Sequence, residues 1–177
     1  MNHNTLKFQY CPHCQTTLVP QPDGGRDRPT CPSCGYVQYL NPAPATAVVL
    51  RRGEKICLVQ RRDPPKAGQW TLPAGFLEWE EDVRDGAVRE ALEETNLHIR
   101  ITGLRDSLTG ILPPDRSVLL IVFDAEVIGG ELKAGDDAAA AGWYSLNNLP
   151  GPIAFSTHRK ILRELGADDF FRGDTDE

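Results

Sequence analysis

The chain has 177 residues, 40% of them apolar, 25% charged and 7% aromatic, with a net charge of −6. That mixture excludes a wholly disordered chain, and no apolar run approaches the ~20 residues that span a bilayer. Met1 to Tyr10 has neither an apolar core nor a small-residue cleavage site, so a cytoplasmic protein with no membrane partner is expected.

The first forty residues hold four of the five cysteines as two knuckles, Cys11-Pro12-His13-Cys14 and Cys31-Pro32-Ser33-Cys34-Gly35, with sixteen residues between them. Two C-x-x-C pairs at this spacing suit four thiolates closing a tetrahedral zinc site, with the Pro and Gly shaping turns whose amides reach the sulfurs. Disulfides are the competing reading, disfavoured in a reducing cytosol, and iron is a second possible occupant. Four thiolates complete the shell, which leaves His13 a bystander and gives the metal a structural role. Against nucleic acid, residues 1–40 carry only Lys7, Arg26 and Arg28 facing Asp23 and Asp27, a thin phosphate footprint.

Beyond Leu40, Asn41-Pro42-Ala43-Pro44 reads as a stiff connector. Ala45–Arg51 and Lys55–Arg62 read as strands around a turn at Arg52-Gly53-Glu54, with Cys57 a buried thiol between apolar neighbours. Trp70–Leu72 is expected as a short strand, Pro73-Ala74-Gly75 as a loop, and Asp82–Thr95 as a helix stopped by Asn96. Ile99–Thr109 is a strand with an irregularity at Thr102-Gly103, and Ser117–Ile128 a strand buried on both faces. A polar loop at residues 129–137 precedes a short strand at Gly142–Leu146. A last helix runs from Ser156, as N-cap, to Leu165, with Ile161, Leu162 and Leu165 as its apolar stripe. Interleaved strands and helices point to an α/β layered architecture with a mixed sheet.

The negative charge is concentrated. Between Glu78 and Glu94 lie eight acids and two bases, so the remaining residues sum to zero. At about 100° per residue, Glu90, Glu93 and Glu94 fall on one face of the helix, with Val88 and Leu92 on the opposite side. Without a cation such an array repels itself, and hard oxygen donors in this number suit Mg²⁺ or Mn²⁺.

Gly75, five residues, Glu81, seven residues, then Arg89-Glu90-Ala91-Leu92-Glu93-Glu94-Thr95-Asn96-Leu97 resembles the Nudix box, and six of its seven fixed positions match. Asn96 replaces the final Gly, and Ala91 is a small choice for an aliphatic position. The resemblance implies a Nudix-type α/β/α sandwich with a mixed sheet over residues 41–166, following a small zinc ribbon at 1–40 and leaving a polar tail at 167–177. It also implies Mg²⁺-dependent hydrolysis of a nucleoside diphosphate linked to another group. Glu90, Glu93 and Glu94 would be catalytic, Gly75, Glu90 and Glu94 the magnesium ligands, and Arg89 with Glu81 a buried orienting pair. The general base is open: Asp136 and Asp137 precede Trp143 where relatives place a carboxylate, and Asp137 is the candidate.

Two ribbon-bearing groups fit. NADH pyrophosphatases carry a Ser-Gln-Pro-Trp-Pro-Phe-Pro run after the box, which Asp106 to Pro114 lacks. Enzymes acting on FAD or ADP-ribose have segments resembling Thr71-Leu72-Pro73-Ala74-Gly75-Phe76-Leu77-Glu78 and Ala154-Phe155-Ser156-Thr157, so the substrate is expected to be FAD or ADP-ribose, with an NADH or other dinucleotide as the alternative. A catalytically idle nucleotide-sensing regulator with a nucleic-acid-binding ribbon is a third reading, disfavoured by an intact box. Candidate substrate contacts are Arg61 and Arg62, within a basic stretch with Arg51, Arg52 and Lys66, and Phe76, with Trp79 placed either in the core or on a base. His158 is read as a surface histidine. The resemblance implies a homodimer.

Overall fold

The computed structural model describes residues 8–112, 116–135, 137–167, 170 and 171. The chain forms two compact units, Met1–Asn41 and Pro42–Glu177. In the first, β1 (Val19–Asp23) and β2 (Arg26–Thr30) make an antiparallel hairpin in full register from Val19↔Thr30 to Asp23↔Arg26. Its core is small: Cys11, Leu18 and Cys31 are buried with Tyr36 packed against them.

In the second unit the strands are β3 (Ala43–Arg52), β4 (Lys55–Arg61), β5 (Trp70–Thr71), β6 (Ala74–Phe76), β7 (Leu97–Leu112), β8 (Arg116–Gly130) and β9 (Ala138–Ser145). They form a mixed sheet of order β5-β4-β3-β8-β7, with β6 on β3 and β9 on β4; β3 and β8 are parallel and the other pairs antiparallel. Along β3 the side chains alternate between two cores. Ala45, Ala47 and Val49 join Ile161 and Leu162 of α2 (Ser156–Leu162), whereas Val48 and Leu50 join Ala87 and Ala91 of α1 (Val83–Thr95). This alternation is the helix–sheet–helix layering in its simplest form, because successive strand residues point to opposite faces. Among the described residues no helix is long and apolar enough to cross a membrane.

Helix α1 starts and stops as its local sequence dictates. The Asp82 side chain accepts the Arg84 amide, and Asn96 closes the helix in the left-handed conformation (φ 58°, ψ 22°), its amide donating to Leu92 O. The irregularity at Thr102 is a register shift between Ile101 and Gly103.

Several expectations are corrected. The buried face of α1 is Gly86, Ala87, Ala91 and Thr95, with Val88 packed partly buried against the same core; Leu92, expected beside it, is exposed. With Glu90 taken as zero, the buried residues fall between about −40° and 140°, so Glu90 and Glu94, at about 0° and 40°, lie within the buried stripe instead of opposite it. Small residues there let the helix approach closely: a Cβ on Gly86 would lie 2.5 Å from Leu77 Cδ2. The connector ends at Pro42, because Ala43 already pairs with Val118. Ala74–Phe76 is a strand, not a loop, and β9 begins at Ala138. In β8 only Val122 and Phe123 are consecutive buried residues, and Leu119 is exposed. Phe155, not Ser156, precedes α2, and makes no side-chain cap bond. A wider turn, Arg163–Ala167, continues α2 until Gly166 breaks it at φ 110°. Ala167 and Phe171 are buried and Phe170 packs on the same core, so this part of the expected loose tail is anchored; the rest of it lies outside the described residues.

Candidate active site

β3 and β4 pair only at Arg51↔Ile56 and Arg52↔Lys55, after which β3 continues against β6 and β8 and β4 against β5 and β9. Ala45 of β3 and Val59 of β4 both line a cavity of about 570 Å³. Glu90 and Glu94, on successive turns of α1, reach its wall together with Gly75 and Asp137. Gly75 is required by closeness alone: a Cβ there would lie 2.0 to 2.2 Å from the carboxyl atoms of Glu90. The Ala74 amide donates to Glu94 Oε2 at 2.9 Å, so β6 and α1 are tied together at the carboxylates.

Arg89 is the hub of the box. Its Nε and Nη2 donate to the two oxygens of Glu81 at 2.7 and 2.9 Å, Nη1 donates to Glu90 Oε1 at 2.7 Å and Glu93 Oε2 at 3.1 Å, and Nη2 also reaches the Phe76 carbonyl. A planar fork satisfies this arrangement where an ammonium could not. The Arg89 hydrogen bonds, with the Glu78 amide, hold the Glu81 carboxyl down at about 2. Burial, ahead of the repulsion from Glu90 and Asp137, pushes the Glu94 carboxyl up to about 8 against the pull of the Ala74 amide. Burial likewise raises Glu90, opposed by its hydrogen bond from Arg89.

The three box acids are less clustered than the helical projection predicts. Among the described residues only the four ribbon cysteines bring three or more donor atoms within 4.8 Å of one another. Bare carboxylates repel, and the Arg89 guanidinium stands between Glu90 and Glu93. Glu93 is turned to solvent, its side chain 53% exposed against 14% for Glu90. Arg89 itself is only partly buried.

Of the expected substrate contacts, Arg61, Arg62 and Phe76 all line the cavity. Arg61 Nε donates to the Pro65 carbonyl at 2.8 Å and its guanidinium lies 5.2 Å from the Phe155 ring centre. Arg62 is shared between Asp63 and Asp137, both at 3.3 Å. Asp137 is exposed and Asp136 lies outside the described residues. Trp79 is 90% exposed and joins neither core nor cavity. Arg52 leaves the basic stretch to cover Trp143, at 4.7 Å.

Sequence reasoning missed three cavity residues. Arg116 stacks over Phe76 at 4.7 Å, and Phe155 faces Arg61. The expectation that His158 is a surface residue is wrong: it is 3% exposed, it accepts the Leu72 amide through Nδ1 at 3.2 Å, and burial, then the charge of Arg61, lowers it to about 4. The Ala154-Phe155-Ser156-Thr157 segment was the available signal for that wall. Cys57 is fully covered, and burial pushes its thiol up to about 12.

In the ribbon, Sγ of Cys14 lies 3.5 Å from Cys31 and 3.7 Å from Cys34, and Cys11 lies 3.6 Å from Cys34. A tetrahedron with ~2.3 Å zinc–sulfur bonds has edges of about 3.8 Å, so the donor set fits zinc. The amides of His13 and Cys34 point at Cys11 and Cys31 sulfurs, and Gly35 supplies the positive φ of the second knuckle.

The fold and site define a mixed-sheet α/β domain whose first helix carries acidic residues on the wall of a cavity of about 570 Å³. The family model for the NUDIX domain matches residues 41–165. The chain is 44% identical over 134 residues to the ADP-ribose pyrophosphatase of Methanocaldococcus jannaschii, covering 73% of this chain and 76% of that one. It is 34% identical over 159 residues to the NAD-capped RNA hydrolase NudC of Chromobacterium violaceum, covering 88% of this chain but 57% of that protein. A crystal structure of a NUDIX hydrolase from Nitrosomonas europaea superposes with a TM-score of 0.73 at 27% identity, over 94% of both chains. The chain belongs to the Nudix hydrolase family.

Proposed function

We propose that this Nudix hydrolase cleaves the diphosphate bond of a nucleoside diphosphate linked to another group, with ADP-ribose or FAD as substrate. The observation that carries the reading is the placement of Glu90 and Glu94 side by side on the cavity wall against Gly75, where no side chain larger than hydrogen fits. The ADP-ribose pyrophosphatase named above supports the first of these substrates.

Glu90 and Glu94, with the backbone at Gly75, have the hard oxygen donors that magnesium or manganese requires, and Glu93 is the assisting carboxylate. Bound divalent cations supply charge neutralisation of the diphosphate and acidification of the attacking water. Arg89, clamped on Glu81, fixes the rotamer of Glu90 through Nη1 and so acts as a positioning residue. Water adds to one phosphorus, the bridging P–O bond breaks, and Asp137 takes the water's proton. Arg62 orients Asp137, while Arg61 faces the diphosphate charge. The four ribbon cysteines hold a structural zinc.

A dinucleotide such as NADH, or the NAD end of a capped RNA, is the second reading, favoured by the similarity to NudC across both units. An idle regulator is disfavoured because every box carboxylate is present. We also propose a homodimer, to be checked by light scattering at working concentration, where a stable monomer would contradict it.

The test compares kcat/KM for ADP-ribose, FAD, NADH and a diadenosine polyphosphate with magnesium, in the wild type and in Glu94→Gln. ADP-ribose or FAD is expected to lead, and the variant to lose roughly 10³-fold or more in turnover with an unchanged melting temperature. Wild-type turnover in the variant refutes the assignment of Glu94.

A further inference from the structure

We propose that His158 is a substrate-binding residue whose Nε2–H, fixed on that nitrogen by the Leu72 amide, donates a hydrogen bond to an acceptor oxygen of the nucleotide in the cavity. The inference rests on the nucleotide reading above and names a contact within it.

The first step is tautomeric. A backbone N–H is always a donor, so the ring nitrogen 3.2 Å from Leu72 N must be an acceptor. A neutral imidazole has one acceptor and one donor nitrogen, so the proton sits on Nε2. Burial keeps the ring neutral, which preserves that division of roles.

The second step is geometric. His158 is 3% exposed, yet among the described residues its Nε2 makes no hydrogen bond. Thr46 Oγ1 and Trp143 Nε1 are sealed from solvent and unpartnered; His158 Nε2 is not among such atoms, and with Nδ1 turned to Leu72 it is the ring nitrogen left free where His158 lines the cavity. A ligand that fills the cavity displaces water from this donor and must supply an acceptor in its place or leave the N–H unpaired, which is costly.

The third step is rigidity. The ring packs 5.6 Å from Phe155, whose other neighbour is Arg61, and the next residue back, Thr157, lies where a Cβ on Gly110 would come within 2.9 Å of it. Leu72 is two residues before Ala74, whose amide holds Glu94. The donor is therefore anchored to the same segment that positions the carboxylates, at a fixed offset from them. A donor with no rotational freedom discriminates between ligands that have an acceptor at that point and those that lack one.

The test uses the zinc-loaded full chain, labelled with ¹⁵N, in magnesium with the α,β-methylene analogue of ADP-ribose, which has no bridging P–O bond to break. The expected result is a His158 protonated at Nε2 in the free protein, with a Hε2 resonance that shifts on titration. Adenosine and pyrophosphate are titrated separately, and the one that reproduces the shift identifies the oxygen as the sugar's or the phosphate's. A proton on Nδ1, or a Hε2 that stays fixed while neighbouring cavity amides move, overturns the proposal. In kinetics, His158→Asn puts Oδ1 where Nδ1 accepts the Leu72 amide but removes the Nε2 donor, and is expected to raise KM about tenfold, the loss falling on KM more than on kcat. His158→Gln places an amide near Nε2 and is expected to recover part of that loss. An unchanged KM in His158→Asn overturns the contact, whereas a wild type that hydrolyses none of the nucleotides refutes the nucleotide reading before any variant is made.

Discussion

Glu90 with Glu94, and Arg89 with Glu93, are recognisable from spacing, because residues four apart on a helix meet whatever the rest of the chain does. His158 is not: its partner Leu72 is 86 residues away, and nothing local marks the ring as buried. Its environment has a measurable consequence. The unfolded imidazole takes up a proton near 6.5 and the folded one only near 4, so the contribution is fully present above pH 6.5 and is lost as pH falls toward 4. His158→Asn keeps the acceptor and cannot titrate. Denaturant unfolding at pH 7 and pH 4.5 is expected to show the wild type losing roughly 2 to 3 kcal/mol more than the variant over that interval. Equal losses would mean that the folded ring protonates as easily as the unfolded one.

At the level of elements, the ends of α1 were legible and its buried side was not. Asp82 and Asn96 cap through contacts within a few residues, so their types suffice to place the boundaries. Val88 packs against the core as its type suggested, but Leu92 is left exposed, and the tight approach of Leu77 and the sheet centres the buried stripe on Gly86, Ala87, Ala91 and Thr95. Likewise Ala74–Phe76 has no strand signature of its own and becomes a strand because β3 offers it an edge at Ala45↔Phe76. Asn96 carries the left-handed stop and a side-chain bond to the Glu131 carbonyl at 3.0 Å. Asn96→Ala is expected to cost about 1 to 2 kcal/mol in urea unfolding, since alanine pays the left-handed penalty and loses the amide bond, while Asn96→Gly should recover most of it. No difference between Ala and Gly would argue that the backbone conformation is not what Asn96 supports.

At the level of the molecule, the two units differ in what holds them. Pro42–Glu177 has two apolar clusters on either side of its sheet, whereas the described residues of Met1–Asn41 enclose little beyond Leu18 and two cysteines, Cys11 and Cys31. Too small a core needs a supplement, and the zinc proposed for the four thiolates would supply it. A zinc chelator is expected to raise amide exchange at Cys31, whose N–H donates to the Tyr36 carbonyl at 2.7 Å, by on the order of 10²-fold or more. The Val48 amide, bonded to Pro73 in the other unit, should be unaffected. Retained protection at Cys31 after complete metal removal would contradict the structural role of the thiolates.

The amino-acid order by itself determined the knuckles, the box, the helix that bears it and most strand positions, since each depends on groups within a turn or two of one another. Tertiary structure alone decided that β3 and β4 part after two residue pairs, that α1 turns its smallest residues inward, and that His158 and Arg116 face the same cavity as Glu90. Those outcomes depend on which distant surfaces meet, and distance along the chain carries no record of that.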